Sequence, residues 1–408
     1  MKITHLTALV LMSLSLSSQA VRAAEGQLLV WEDIKKSSGI ADAVKDFEKE
    51  NNVKVVVQET PYAQQTEKLR LDGPAGIGPD VVVIPNDQLG TAVVQGILAP
   101  LTLDKAFTDS FTPSAINAFQ QKGQTYGVPK AVETLVLIYN KDLLPKAPDT
   151  LDEYYAFSKE ERAKGKYGLL AKFDEVYYAY GAISSMGGYI FGKDAKGELN
   201  VEDIGLNKPG SVEAVTYLKK FYADGLFPAG ITGDNGLNAI DSLFTEKKAA
   251  AVITGPWAFQ PYEAAGINYG VKPLPLLPNG KPMSSFLGVK GYAVSTYSKQ
   301  KPLAEKFITF INQPKYAKVR YEVTKEIPAL TALVNDPMIK NDEKANAVAL
   351  QSTHATAMPG VPEMQEVWGP ANNGIQLGVT GKQPVQAALN DAVKNIQMQI
   401  EAAKASNE

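Results

Sequence analysis

The sequence predicts an α/β protein in which mainly parallel sheets are flanked by helices, and three observations support this class. Strand and helix patterns alternate over residues 28–84, a second set of such patterns follows, and no Ser/Gly/Pro-rich linker separates the two sets. The chain has 408 residues, of which 45% are hydrophobic and 21% are charged. This is enough apolar material for two or three hydrophobic cores, so wholesale disorder and a fibrous architecture are excluded.

The first set of elements contains three short apolar runs separated by one stretch with helical periodicity and one polar stretch that is compatible with a helix. The predicted strands are residues 28–31, 53–57 and 81–84, and the predicted helices are residues 40–50 and 63–71. Strands and helices that alternate at this spacing imply right-handed crossovers and a parallel sheet. Because ligands of such sheets bind beyond the carboxyl ends of the strands, residues 31–36 and 85–90 are candidate binding loops.

The second set adds longer elements towards the C-terminus. The predicted strands are residues 131–140, 249–254 and 289–295, the predicted helices are residues 212–223 and 385–400, and residues 194–200 read as a hairpin turn. The short connections between these elements indicate that the chain crosses between two lobes more than once.

The first residues have the pattern of an export signal. Lys2 is followed by an apolar stretch over residues 6–16, and Val21-Arg22-Ala23 offers small residues for cleavage after Ala23. An apolar stretch of about 11 residues is too short for a membrane span, which needs about 20. The sequence therefore predicts a soluble periplasmic protein, and the absence of cysteine predicts that it carries no lipid anchor.

Composition and motifs exclude several classes of function. Lys and Arg total 41 against 44 Asp and Glu, and no long basic run marks a nucleic-acid site. Without cysteine there are no disulfides, thiolate zinc sites or iron–sulfur clusters. His354 is the single histidine after the signal, and the sequence contains no nucleophile-elbow motif with which it could form a catalytic pair. A surface position is therefore predicted for His354. Residues 73–78 lack the Lys-Ser/Thr of a phosphate loop and read as a turn, and we predict no cofactor and no metal.

Aromatic residues beside turn signals are the distinctive feature of this chain. Trp257 follows a buried strand at Gly255-Pro256, Trp368 precedes Gly369, and Tyr177, Tyr178 and Tyr180 lie together in DEVYYAYG. Sugars present flat C–H faces rimmed by hydroxyls, so their sites combine aromatic rings with directional polar groups. From composition and position alone, each of these rings is more often a core residue than a binding platform, because large aromatic side chains are mostly buried.

Three carboxylates are candidates for the polar groups of such a site, namely Asp87, Glu133 and Glu175. Two other classes of protein use similar residues. A secreted glycosidase could use Glu133 and Glu175 as acid and nucleophile. A ferric or anion receptor could use Tyr177 and Tyr178 as ligands, although the chain offers no arginine cluster to hold an accompanying anion.

The sequence resembles the periplasmic maltose and maltodextrin binding proteins that feed ATP-driven importers, over essentially the whole chain after the signal. The order and spacing of the matching stretches agree, and VETLVLIYNKDLLP is the most specific of them. The others are VWEDIKKSSGI, DFEKENNVKV, GPDVVVIPNDQLG, EVYYAYGAISSMGGYIF, AVITGPWAF, INYGVKPLPLLP and AMPGVPEMQEVWG.

This resemblance implies a two-lobed periplasmic binding protein fold of type II that closes on an oligosaccharide, and it implies a monomer that serves the permease of an ABC importer. With the predicted signal peptide at 1–23, it places the N-terminal lobe at 24–132 plus 289–338, and the C-terminal lobe at 133–288 plus 339–408. It makes Trp31 a core residue and assigns ligand-binding roles to Lys36, Asp87, Glu133, Glu175, Tyr177, Trp257, Met358 and Trp368.

The departures from the family pattern concern the fit of a short sugar. Ile84 and Gln88 stand where the family has an aromatic and an arginine, and Gly369 and Asn372 stand where it has a tyrosine and an arginine. These differences leave a wider and less charged cleft. The expected ligand is therefore a maltodextrin or a cyclodextrin rather than maltose, and the alternative is another oligosaccharide.

Overall fold

The computed structural model describes residues 26–406, so the signal peptide predicted at 1–23 lies outside the described residues. In chain order the strands are β1 (Gln27–Glu32), β2 (Lys54–Glu59), β3 (Val81–Pro85), β4 (Gln120–Gln121), β5 (Gln124–Thr125), β6 (Val128–Glu133), β7 (Val136–Asn140), β8 (Tyr167–Leu170), β9 (Phe191–Lys193), β10 (Leu199–Ile204), β11 (Ala249–Thr254), β12 (Tyr269–Lys272), β13 (Phe286–Val294) and β14 (Thr356–Ala357).

The α-helices surround two main sheets. In chain order they are α1 (Ala41–Asn51), α2 (Tyr62–Asp72), α3 (Leu89–Val94), α4 (Lys105–Thr108), α5 (Pro113–Asn117), α6 (Leu151–Ala163), α7 (Val176–Ser185), α8 (Pro209–Ala223), α9 (Gly236–Thr245), α10 (Phe259–Ala264), α11 (Lys301–Ile311), α12 (Pro314–Thr324), α13 (Thr331–Val334), α14 (Pro337–Lys340), α15 (Glu343–Ser352), α16 (Trp368–Val379) and α17 (Val385–Ser406).

The first sheet has the order β14-β13-β3-β1-β2, and β6 also pairs with β13. Strand β1 runs parallel to β2 and β3, as the strand and helix alternation predicts, and β13 runs antiparallel to β3 and β6. Helix α1 packs on this sheet with α11, where the rings of Phe47 and Phe307 meet edge to face at 5.1 Å. Trp31 is 2% exposed, in agreement with its predicted core position.

The second sheet has the order β12-β7-β11-β8, and only the β11–β8 pair is parallel. The predicted α/β class is confirmed, while the mainly parallel character holds for the first sheet and not for the second. Strand β7 follows β6 of the first sheet directly, without the crossover helix that a connection between parallel neighbouring strands requires. Helices α6, α9 and α15 pack on this sheet, whereas α7, α8, α16 and α17 pack on one another.

The single strand predicted over residues 131–140 is wrong, because the chain changes sheets within it. Strand β6 pairs with β13, β7 pairs with β11 and β12, and only Thr134 and Leu135 lie between β6 and β7. Both strands are buried and only the polar pair Glu133-Thr134 interrupts their apolar residues, so the segment reads as one long strand. Hydrophobicity reports burial but not the pairing partner.

The remaining predicted elements are present with small shifts at their ends. Residues 249–254 coincide with β11, the turn at 194–200 connects the antiparallel pair β9 and β10, and residues 73–78 form turns. His354 is exposed, as predicted.

The chain passes between the sheets at the β6–β7 link, between β12 and β13, and again around β14. Lobe boundaries at 132, 288 and 338 stay a prediction. Over residues 26–406, no helix is both long and apolar enough to cross a bilayer.

Candidate binding cleft

A cleft with a volume of about 920 Å³ lies between elements of the two sheets. Its first-sheet side is formed by the loops after β1, β2 and β3, by β6 and β13, and by the segment after α12. Its second-sheet side is formed by the start of α7, the turn before α10 and helix α15. The charged and aromatic residues that line it are Lys36, Tyr62, Asp87, Glu133, Tyr177, Trp257, Phe259, Glu263, Lys290, Tyr321, Lys325, Glu326, Asp342 and Lys344.

The cleft brings together six of the eight residues predicted for the site. They are Lys36, Asp87, Glu133, Tyr177, Trp257 and Met358. Glu175 and Trp368 are not among the lining residues. Both loops that the strand-end rule selected line this cleft, since Lys36 follows β1 and Asp87 follows β3.

Trp257 is the most exposed large ring at this site. It lies in a 3-10 turn, Pro256–Ala258, directly after β11, and 40% of its surface is exposed. The ring packs against Gly255, where an added Cβ atom would collide with it, so this placement requires glycine. An exposed tryptophan fixed from behind by backbone is suited to stacking on a flat apolar ligand face.

The other predicted rings are grouped around Phe286 at the start of β13. Tyr177 stacks on Phe286 at 6.1 Å and also lines the cleft, whereas Trp368 meets the edge of Phe286 at 5.9 Å and is half-buried. Tyr178 and Tyr180 are core residues, with Tyr180 stacked on Phe286 at 4.0 Å. Of the tyrosine cluster, only Tyr177 therefore faces the cleft.

Glu175 and Asn372 make contacts within the second lobe. The Glu175 carboxylate lies 3.3 Å from the buried ammonium of Lys172, which also pairs with Asp174 at 2.8 Å. Asn372 Oδ1 accepts a hydrogen bond of 2.8 Å from the backbone N–H of Val176, the first residue of α7. Asn372 thus satisfies one of the free N–H groups at this helix start.

Two carboxylates in the cleft are held in a poorly solvated environment. Burial raises the pKa of Asp87. Burial also raises the pKa of Glu133, the charge of Glu326 acts in the same direction, and Lys290 and Lys36 oppose the shift. Poorly solvated carboxylates are strong acceptors for hydroxyl groups, which replace the lost water.

A buried charge cluster supports the first-sheet side of the cleft. Lys130 Nζ lies 2.7 Å from Glu32 Oε1 and 3.0 Å from Glu326 Oε1, and Glu326 reaches the cleft surface. Burial opposes ionisation of Glu326, but Lys130, with Arg320 and Lys36, holds its pKa below the ordinary value. Glu326 is therefore a charged carboxylate at the cleft surface, and the buried ammonium of Lys130 stabilises its charge.

Sequence reasoning missed several residues of the cleft, most notably Tyr62, Phe259, Lys290 and Glu326. For Tyr62 a signal existed, because it begins α2 shortly after the carboxyl end of β2, and the strand-end rule was applied only to β1 and β3. Lys290 and Glu326 come from segments that are distant in sequence from the other site residues, and no local sequence pattern indicates that they line the cleft. In the described part of the chain, no group of three or more Asp, Glu or His side chains could hold a metal ion.

Two lobes built on mixed α/β sheets, with crossing segments and a polar and aromatic cleft between them, define the class of two-lobed solute-binding proteins. Residues 42–347 match the model of the family described as bacterial extracellular solute-binding protein. The chain belongs to this family.

Similar proteins bind sugars. The chain is 50% identical over 389 residues to a galactooligosaccharide-binding protein of Bacillus subtilis, covering 95% of this chain and 92% of that protein. It is 40% identical over 364 residues to the maltodextrin-binding protein MdxE of Bacillus subtilis, covering 87% and 85%.

Solved structures agree with the described fold. A cyclo/maltodextrin-binding protein in complex with maltotetraose superposes with a TM-score of 0.87 at 37% identity, covering 94% of this chain and 99% of that one. The periplasmic maltose-binding protein of Listeria monocytogenes in complex with maltose gives 0.88 at 39% identity, covering 93% and 99%. The predicted type II fold and the resemblance to this family are thereby confirmed.

Proposed function

We propose that this protein is exported to the periplasm, captures a neutral oligosaccharide in the cleft between its lobes and delivers it to the permease of an ABC importer. The observation that carries the proposal is the combination in one cleft of two rings, the exposed Trp257 and the half-buried Tyr177, with the poorly solvated carboxylates Asp87 and Glu133. Rings match the C–H faces of a sugar and carboxylates match its hydroxyls.

The first candidate ligand is a maltodextrin or a cyclodextrin. The cleft of about 920 Å³ is large for a disaccharide. Gln88 lines it where the family pattern has an arginine, and its Nε2 donates to the Ala63 carbonyl within the same lobe. A site without that guanidinium binds a short sugar less tightly, and its affinity depends more on ring stacking along a longer sugar.

A galactooligosaccharide is the second candidate, and the observation that favours it is the 50% identical relative that binds this class of sugar. Galactans and α-glucans expose different hydroxyl patterns, so both candidates use the same rings but different polar contacts. The two ligands are distinguished by direct titration.

A glycosidase is disfavoured by geometry. The two carboxylates of such an enzyme flank one bond, about 5 to 10 Å apart. Here Glu133 lines the cleft, whereas Glu175 does not and contacts Lys172. Prolonged incubation with each sugar should release no shorter product.

Calorimetry of the purified chain tests the proposal. We expect one-to-one binding of maltoheptaose, β-cyclodextrin or a β-1,4-galactooligosaccharide, weaker binding of maltose, and no binding of glucose. Absence of heat with every oligosaccharide, or catalytic turnover of any of them, would overturn it.

A further inference from the structure

The first lobe lacks the aromatic residue that its family pattern places at position 84. Ile84 is fully buried in β3 and contributes nothing to the cleft surface. Tyr62 does line the cleft from the same lobe, at the first residue of α2. The lobe therefore presents a ring, but from a different strand end.

The Tyr62 ring lies beneath a fixed cation. Lys290 Nζ lies 4.0 Å from the centre of the ring, and Lys290 itself projects from β13 at the cleft. A lysine ammonium at this distance is attracted to the face of the ring. One face of Tyr62 is thus covered by Lys290.

Asp33 fixes both partners. Its Oδ1 accepts the backbone N–H of Tyr62 at 3.1 Å and that of Ile34 at 2.8 Å, while its Oδ2 lies 3.8 Å from Lys290 Nζ. Asp33 is buried after β1, so one carboxylate holds the start of α2 and the cation over the ring. Three segments distant in sequence meet in this arrangement.

We propose that Tyr62 is the stacking platform of the first lobe, and that Lys290, held by Asp33, is a positioning residue that fixes the ring. This deepens and rests on the proposed capture of an oligosaccharide. Trp257 and Tyr177 belong to the second lobe and Tyr62 to the first, so rings from both lobes flank the bound sugar. The face of Tyr62 that Lys290 leaves free receives the C–H face of a hexose unit.

Supporting electrostatics come from the surroundings of the hydroxyl. Burial raises the pKa of Tyr62, and the charges of Glu133, Asp33 and Asp87 add to the shift. The neutral hydroxyl thus stands beside the two carboxylates that are predicted to bind sugar hydroxyls, which places the ring within the same site.

Titration of single and double variants with the sugar that binds the wild type most tightly, among maltoheptaose, β-cyclodextrin and a β-1,4-galactooligosaccharide, tests the proposal. Tyr62→Ala should weaken affinity by about tenfold or more, as loss of an anchoring ring does, whereas Tyr62→Phe should stay within about threefold. Lys290→Met should weaken affinity by about threefold to tenfold, and Lys290→Arg should restore most of the loss because it keeps a cation over the ring.

The double variant Tyr62→Ala/Lys290→Met separates positioning from direct contact. If Lys290 acts through the ring, it should bind about as weakly as Tyr62→Ala alone. Additive losses would mean that Lys290 binds sugar independently and would overturn its positioning role. Equal affinities of Tyr62→Ala and the wild type would overturn the platform while leaving the proposed function intact, and a wild type that binds no sugar would overturn both.

The chain offers a matched control. Lys220 lies 4.1 Å over the ring of Tyr155 in the second lobe, and neither residue lines the cleft. Tyr155→Ala and Lys220→Met should leave sugar affinity within about twofold of the wild type, because substitutions away from the cleft do not change the binding site. Losses there as large as at Tyr62 would show that the effect reflects general destabilisation and would contradict the proposal.

Discussion

The ammonium of Lys130 lies 2.7 Å from the carboxylate of Glu32, and both side chains are fully buried beneath the cleft. The hydroxyl of Tyr292 also donates to Glu32, at 2.5 Å. Glu326 completes the group from the cleft side. The cluster joins β1, β6, β13 and the segment after α12, so it ties together the elements that carry half of the cleft.

We predict that Lys130→Met destabilises the fold by about 3 to 5 kcal/mol, because it leaves buried carboxylates without a cation. Burial alone would lower the pKa of Lys130, but Glu32 and Glu326 raise it. The stabilisation is therefore complete at neutral pH and is lost only as the pH rises through the folded-state value, above about 10.4.

Urea unfolding at neutral pH measures this loss. The double variant Glu32→Gln/Lys130→Met, which removes one of the stranded charges, should lose less stability than Lys130→Met. A loss below about 1 kcal/mol for Lys130→Met would show that the cluster contributes little.

Sugar affinity should fall as the pH is lowered from neutrality towards the ordinary glutamate pKa of about 4.3. Burial raises the pKa of Glu133, so this carboxylate becomes protonated above the ordinary glutamate value of about 4.3 and then no longer accepts a hydrogen bond as an anion. Calorimetry across this range measures the effect, and Glu133→Gln should reduce both the affinity and its pH dependence. An unchanged pH dependence in that variant would assign the titration to another group, Asp87 being the next candidate.

The two predicted tryptophans should behave differently. Trp257 is 40% exposed, so Trp257→Ala should cost about 2 kcal/mol or more of binding energy with little loss of stability. Trp368 packs half-buried against Phe286, so Trp368→Ala should lower the melting temperature as well. Thermal melts beside titrations separate the two effects. A normal affinity with a collapsed melting temperature would make either residue a core residue only.

Gln88→Arg should improve the affinity for maltose relative to cyclodextrins, because it restores a planar group with several donors at the cleft. Asn372→Arg should not act in the same way. It removes the acceptor for the Val176 N–H at the start of α7 and should cost about 1 kcal/mol of stability. Parallel titrations with maltose and β-cyclodextrin decide the matter, and equal gains for both sugars with Gln88→Arg would contradict the account.

The sequence predicted local features well and long-range ones poorly. Val81–Pro85 and Ala249–Thr254 are compact apolar runs whose burial fixes them as strands, and the strand-end rule found Lys36 and Asp87. The change of sheet at Thr134 was invisible, because apolar pattern is the same on both sides. The pairing of Lys290 with Tyr62 depends on strand neighbours that no local pattern encodes.

Small-angle scattering with and without a saturating oligosaccharide tests the central claim most directly, namely that a sugar binds between the two lobes and draws them together. A ligand shifts an equilibrium between open and closed forms only by its greater affinity for one of them, and here Trp257 and Asp87 line the cleft from opposite sides. We expect a smaller radius of gyration in the bound protein. An unchanged radius at a sugar concentration where calorimetry shows saturation would contradict the account.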